Sequence, residues 1–270
     1  MGKGEYPKAI SEKDWDKLKR KYSELNLKSW EHLDGLKKLS LLKGANINIE
    51  NKFLFGNNYI LDYPKDIYLK SKRIILDSST LNRIRHMALD ERKEIGGIIN
   101  DNKIDVLFSG TKNRIKLDLN KKTQTLFHTH PEDEDLEFDP PSVLDIVSFL
   151  ALNVQSIAEY ILNKQKDVKK LLKVENSIVF TKNEVYVYYI SYPLIKNITE
   201  YLIEIHETDN FVYKVEKLLE ELELYYSKIL SRFNMTLDEN LLNEYIEYVS
   251  KLGIIMKRFK YTSSPEVYVM

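Results

Sequence analysis

An apolar run, Thr125-Leu126-Phe127, ends in His128-Thr129-His130-Pro131. Bounded by turns, the run predicts a β-strand. Side chains alternate along a strand, so residues two apart share a face. His128 and His130 therefore point to the same side of whatever sheet forms here. Two imidazole nitrogens on one face can bind one metal ion. Downstream, Pro140-Pro141 opens a helix, since proline suits a first helical turn. Ser142-Val143-Leu144-Asp145 lies at its start. Ser-x-x-Asp is also an ordinary capping box, but at this place Asp145 can offer a carboxylate oxygen as a third donor. Two His and one carboxylate, with a fourth position open to water, mark a catalytic zinc rather than a structural one.

The chain has no cysteine. That excludes a disulfide scaffold, a thiolate metal site and a cysteine nucleophile, so any zinc must be held by His, Asp or Glu. Zinc acidifies a bound water and polarises a carbonyl. A base must still take the water's proton and return it to the leaving amine. Glu94 is the candidate. It heads Glu94-Ile95-Gly96-Gly97-Ile98-Ile99, just after a helix, and the glycines permit close backbone approach beside it.

Around this segment the pattern predicts an α+β protein, an α/β sandwich of a mixed sheet flanked by helices. Residues 11–25 read as a charged helix capped by Ser11, with Trp15, Leu18 and Tyr22 as its apolar stripe. A second short helix is expected at 28–43, then loop and hairpin over 44–66. Arg73–Leu76 is a strand candidate, and residues 78–90 a helix. Short strands follow at 95–99, 104–108, 115–119 and 125–130. After Pro141 come two helices, 143–153 and 158–172, and two strands, 177–181 and 184–190, joined by Lys182-Asn183. From Pro193 the pattern is mainly helical, with one or two short strands near the end. The expected division is an N-terminal extension, 1–70, a core, 71–191, and a helical C-terminal region, 192–270.

The chain's 270 residues are enough to bury a sizeable core. Lys plus Arg and Asp plus Glu number 41 each, giving a formal net charge of zero. A nucleic-acid binder is usually basic, so none is expected. The first 20 residues hold no apolar stretch of a signal peptide, and no run of about 18 apolar residues predicts a membrane span. The expectation is an intracellular, cytoplasmic protein without nucleic-acid or membrane partners. Richness in Lys, Ile and Asn fits an AT-rich genome, such as that of some parasites, protists or large viruses; if viral, the protein would be virion-associated.

Glu94, His128-Thr129-His130-Pro131 and Ser142-Val143-Leu144-Asp145, in this order, resemble the JAMM/MPN+ metalloprotease family. The helix before Glu94 and the strand pair 177–190 resemble its opening helix and closing strands. The resemblance spans roughly residues 72–191. It implies a zinc-dependent isopeptidase or peptidase, deubiquitinase-like, with ubiquitin or a ubiquitin-like modifier as substrate. It implies one Zn2+ per chain held by His128, His130 and Asp145, with Glu94 as acid/base. Ser142 would donate a hydrogen bond to the tetrahedral intermediate. The terminal regions would dock the core on a substrate or in an assembly. Two alternatives remain: an MPN-fold scaffold subunit of a complex or virus particle, and a metallopeptidase with another substrate.

The family places seven residues between its second His and its Ser, but here eleven intervene, 131–141. The added stretch, 132–139, holds six carboxylates. It reads as a solvated loop or as a clamp for a basic substrate surface. His32, His86 and His206 read as ordinary surface or packed residues. Tyr225, Tyr226, Tyr245 and Tyr248 read as core or as a docking face.

Overall fold

The computed structural model describes residues 10–25, 30, 33, 35–47, 73–76, 78–88, 94–100, 103–109, 123–130, 138–167, 171–233, 238–260 and 266–269. Most of the expected hairpin, the strand candidate 115–119, His32 and acidic residues 132–137 lie outside them.

The sheet follows from period-two alternation in short β-branched and aromatic runs. It has six strands: β2 (Ile95–Asn100), β3 (Lys103–Ser109), β4 (Thr123–Thr129), β5 (Val174–Phe180), β6 (Glu184–Ile190) and β7 (Ile254–Lys260). Their spatial order is β3-β2-β4-β5-β6-β7. β4 and β5 run parallel, and the other neighbours pair antiparallel. A parallel pair needs a crossover, and helix α4 (Val143–Leu162) lies in the connection. A separate antiparallel pair joins β1 (Arg73–Leu76) to β8 (Glu266–Val269). The protein is therefore α+β, with a mixed sheet and helices.

α4 is one helix where the sequence suggested two. Its apolar stripe continues unbroken, burying Val143, Ile146, Val147, Leu150, Val154, Ile157 and Ala158. It stops at Asn163, just before Lys164, which takes a positive φ of 46°. Residues 165–167 are not helical. Inside the helix, the Asn153 amide donates to Phe149 O (3.1 Å), and its oxygen accepts from Val174 N (3.1 Å). A buried polar side chain thus satisfies itself and fixes where β5 starts. By length and hydropathy α4 is able to cross a membrane, yet half of its apolar window is buried in the protein.

Helices cover both sheet faces. On one, Ile84 of α3 (Ser78–Ala88) packs with Ile99, Phe127, Ile178, Phe180, Val185 and Val187. On the other, α4 shares a core with α5 (Tyr192–His206), α6 (Phe211–Leu230) and α7 (Glu239–Lys251). The division drawn at residue 191 falls inside this core, and the sixth strand comes from beyond it. Tyr226 and Tyr245 are buried there. Tyr226 Oη donates to Leu252 O (2.8 Å), while Tyr225 and Tyr248 pack at the margin.

The N-terminal region also docks on α6. α1 (Glu12–Lys21) is capped by Ser11 Oγ, which accepts from Asp14 N (3.2 Å). Trp15 and Trp30 meet edge to face at 5.5 Å, in a cluster that includes Leu224. Lys38, on α2 (Gly35–Gly44), pairs with Glu223 at 2.9 Å, and Trp30 Nε1 donates to Glu220 (3.0 Å).

Candidate metal centre

At the end of β4, His128 and His130 share a face, and both are buried. Their Nε2 atoms lie 3.1 Å apart. Asp145, in the first turn of α4, brings Oδ1 to 3.4 Å from His128 Nε2 and Oδ2 to 3.5 Å from His130 Nε2. Among the described residues these three form a group able to hold a metal ion. Tetrahedral zinc with bonds of about 2.0–2.1 Å has donor–donor edges of roughly 3.3–3.4 Å. The Nε2–Nε2 separation of 3.1 Å is close to such an edge, and Asp145 turns one oxygen to each ring, at 3.4 and 3.5 Å.

Ser142 caps α4. Its Oγ accepts from Asp145 N (3.2 Å), and Asp145 Oδ2 accepts from Ser142 N (2.7 Å). The capping box and the third donor are thus the same residue. The box fixes the carboxylate, and the carboxylate keeps an edge turned to the imidazoles. Capping uses the Ser142 oxygen as acceptor, leaving its own proton to be donated elsewhere. Ser142 is exposed.

A row of paired residues crosses the sheet here: Gly96, His128, Val179, Tyr186 and Arg258. Gly96 places no side chain opposite His128, which leaves the face open beside the ring. Ile95 N donates to Thr129 Oγ1 (3.0 Å), pinning the head of β2 between the two histidines. Glu94 directly precedes this bond. Continuing the register by two residues sets it opposite His130 on the same face.

The charges are mutually dependent. Partial burial raises the Glu94 pKa; His128 and His130 lower it, and Asp145 and Asp139 raise it. Burial would raise the Asp145 carboxyl, but His128 and His130 hold it well below the usual carboxylate range. Burial would lower His130, yet Asp139 and Asp145 hold it well above its ordinary value. Converging nitrogens beside a half-buried carboxylate call for a cation, which a proton or a metal supplies.

Four contributors were given no role at the metal centre by the sequence. Asp139 meets His130 Nδ1 through Oδ2 (3.1 Å) and its carbonyl (3.2 Å). It was one of six acidic residues in the stretch read as loop or clamp. Thr129 supplies the β2 anchor. Tyr245 Oη, on α7, donates to Pro141 O and so holds the approach to Ser142. Arg258, on β7, lies over the Phe138 ring. A residue between two ligands, as Thr129 is, was the only one that spacing could have singled out. The other described histidines stand apart: His86 is exposed in an open hollow with Arg83 and Ile95, and His206 meets Phe211 edge-on at 5.4 Å.

Fold and site together define an α+β protein with a two-histidine, one-carboxylate donor cluster at the end of a sheet strand. No family model, curated protein or solved structure matches the chain.

Proposed function

We propose that this protein is a zinc-dependent isopeptidase or peptidase of the JAMM type, hydrolysing an amide bond of ubiquitin or a ubiquitin-like modifier. The observation that carries the reading is the convergence of His128 Nε2, His130 Nε2 and Asp145 within 3.1–3.5 Å, with Glu94 heading the neighbouring strand on the same face. The order of these residues along the chain, and their resemblance to the JAMM/MPN+ pattern, narrow the substrate to an isopeptide or peptide bond. The mixed sheet with α3 on one face and α4 on the other supports an MPN-type sandwich.

Zinc bound there supplies a Lewis acid that polarises the scissile carbonyl and acidifies water. The protein's residues do the rest. His128 and His130 bind through neutral nitrogens, and Asp145 adds one negative charge. Glu94 takes the proton from the attacking water and delivers it to the leaving amine. The Ser142 hydroxyl donates to the developing oxyanion, a contribution of about 3–4 kcal/mol in comparable sites.

Metal analysis and a cleavage panel of ubiquitin chains test this. The expected result is about one zinc per chain, with cleavage that falls roughly 10²- to 10⁴-fold in Glu94→Gln while zinc is retained. Because Glu94 must be ionised to act as base, cleavage should fail on the acid side as its carboxylate takes up a proton. Cleavage that survives Glu94→Gln refutes the mechanism. Zinc-loaded protein that cleaves no chain redirects the proposal to another peptide substrate.

A further inference from the structure

We infer that Asp139 is a positioning residue of the metal centre, fixing His130 in the one neutral tautomer that presents Nε2 to a metal. The inference rests on the zinc reading above and extends it beyond the ligands.

A neutral imidazole protonates one nitrogen and offers a lone pair on the other. His130 Nδ1 faces two Asp139 oxygens, Oδ2 at 3.1 Å and the backbone carbonyl at 3.2 Å. A carboxylate and a carbonyl only accept. With its proton on Nδ1, neutral His130 keeps the Nε2 lone pair for a metal held between it, His128 and Asp145. A carboxylate behind a ligating histidine also makes the ring a stronger donor and restrains its rotation.

Something must hold Asp139 in place. The residue before it, Phe138, packs on the main core, and the Arg258 guanidinium lies 4.9 Å from its ring centroid. Arg258 is itself tied down. Its Nε donates to Glu184 Oε2 (2.8 Å), and a second nitrogen reaches Glu184 Oε1. The guanidinium also donates to Glu239. Glu184 is buried and accepts in addition from Tyr186 Oη (2.7 Å). Arg258 shares the cross-sheet row of His128. The last strand of the sheet thus reaches back, through Phe138, to orient a ligand three strands away.

The test uses full-length protein, with zinc as the probe. Zinc affinity is measured by chelator competition for wild type, Asp139→Ala and Asp139→Asn. Imidazole nitrogen and Nδ1 proton signals are followed by NMR, and metal-free melting temperatures are recorded alongside. Asp139→Ala is expected to bind zinc roughly 10- to 100-fold more weakly. Asp139→Asn, which keeps an acceptor but loses the charge, should fall between. The His130 Nδ1 proton signal should shift while that of His128 stays. A merely structural role would lower the metal-free melting temperature and leave these readouts unmoved. Unchanged affinity with an unmoved His130 signal overturns the inference alone; if the alanine variant does not fold, the asparagine variant decides by the same criteria. Wild-type protein that takes up no zinc overturns the metal centre and this inference with it.

Discussion

The two faces of β4 are built to opposite specifications. On one face Leu126, His128 and His130 follow each other, and the row ends in a buried polar cluster closed by Asp145 and Asp139. On the other, Phe127 packs edge to face on Phe180 at 5.9 Å, within an apolar group that includes Ile84 and Val187. One strand, alternating residue by residue, serves both. The apolar face asks for volume and tolerates chemical variety of similar shape. The polar face asks for particular atoms at particular places, and shape alone cannot replace them.

Substitutions on adjacent residues should therefore fail in different ways. The largest contrast is His128→Ala against Phe127→Ala. The first should drop bound zinc from about one per chain to near zero, abolish cleavage and leave a folded protein by circular dichroism. The second should cost roughly 3–5 kcal/mol in denaturant unfolding, while the folded fraction still binds zinc. A His128→Ala protein that keeps its zinc would erase the contrast. Thr129→Val probes the position between, where a back-face residue anchors the strand of Glu94. Losing that acceptor should cost about 1–3 kcal/mol of stability and reduce turnover more than zinc affinity. An equal loss of both would place Thr129 with the ligands instead.

The smallest effect is in pH. Without metal, burial works against the charge on His130, but Asp139 and Asp145 hold its pKa well above ordinary. Its stabilisation is thus fully present below about pH 6.5 and is lost as pH rises through the higher folded value. Asp145, held low by the imidazoles against the effect of burial, stabilises above about pH 3.9 and loses this as pH falls through its depressed value. Zinc competes with the His130 proton, so stabilisation by zinc should grow with pH. Melting curves between about pH 5 and about pH 8, with chelator and with zinc, should diverge. Parallel curves would show that the two conditions leave the same protons on the polar face.

The donor set was legible because strand alternation and helix capping are local rules. His-x-His needs only a strand, and Ser-x-x-Asp only a helix start, and both formed there. The capping box and the candidate metal donor, competing readings in the sequence, are compatible in one arrangement. What stayed hidden depends on distant pairing. Asp139 looked like its five acidic neighbours, and only the path of the chain turns it to His130. Arg258 reaches the site through β6–β7 pairing, and no spacing rule connects residue 258 with residue 138. The split of α4 into two helices went wrong for the opposite reason. Its polar second half looked independent, yet it keeps a narrow buried stripe through Ile157 and Ala158.

The three donors lie within one contiguous stretch, residues 128–145, whereas Glu94 reaches them through the β2–β4 pairing. Short loops close at lower entropic cost than long ones, so on the proposed function metal capture and arrival of the base would be separable events in assembly. A nascent or refolding chain would then hold its ion before it could use it. Refolding in zinc, followed by an optical zinc probe and by cleavage, should show uptake ahead of activity, and simultaneous onset would contradict that order. Such a delay would keep the reactive centre silent until the sheet around it has closed.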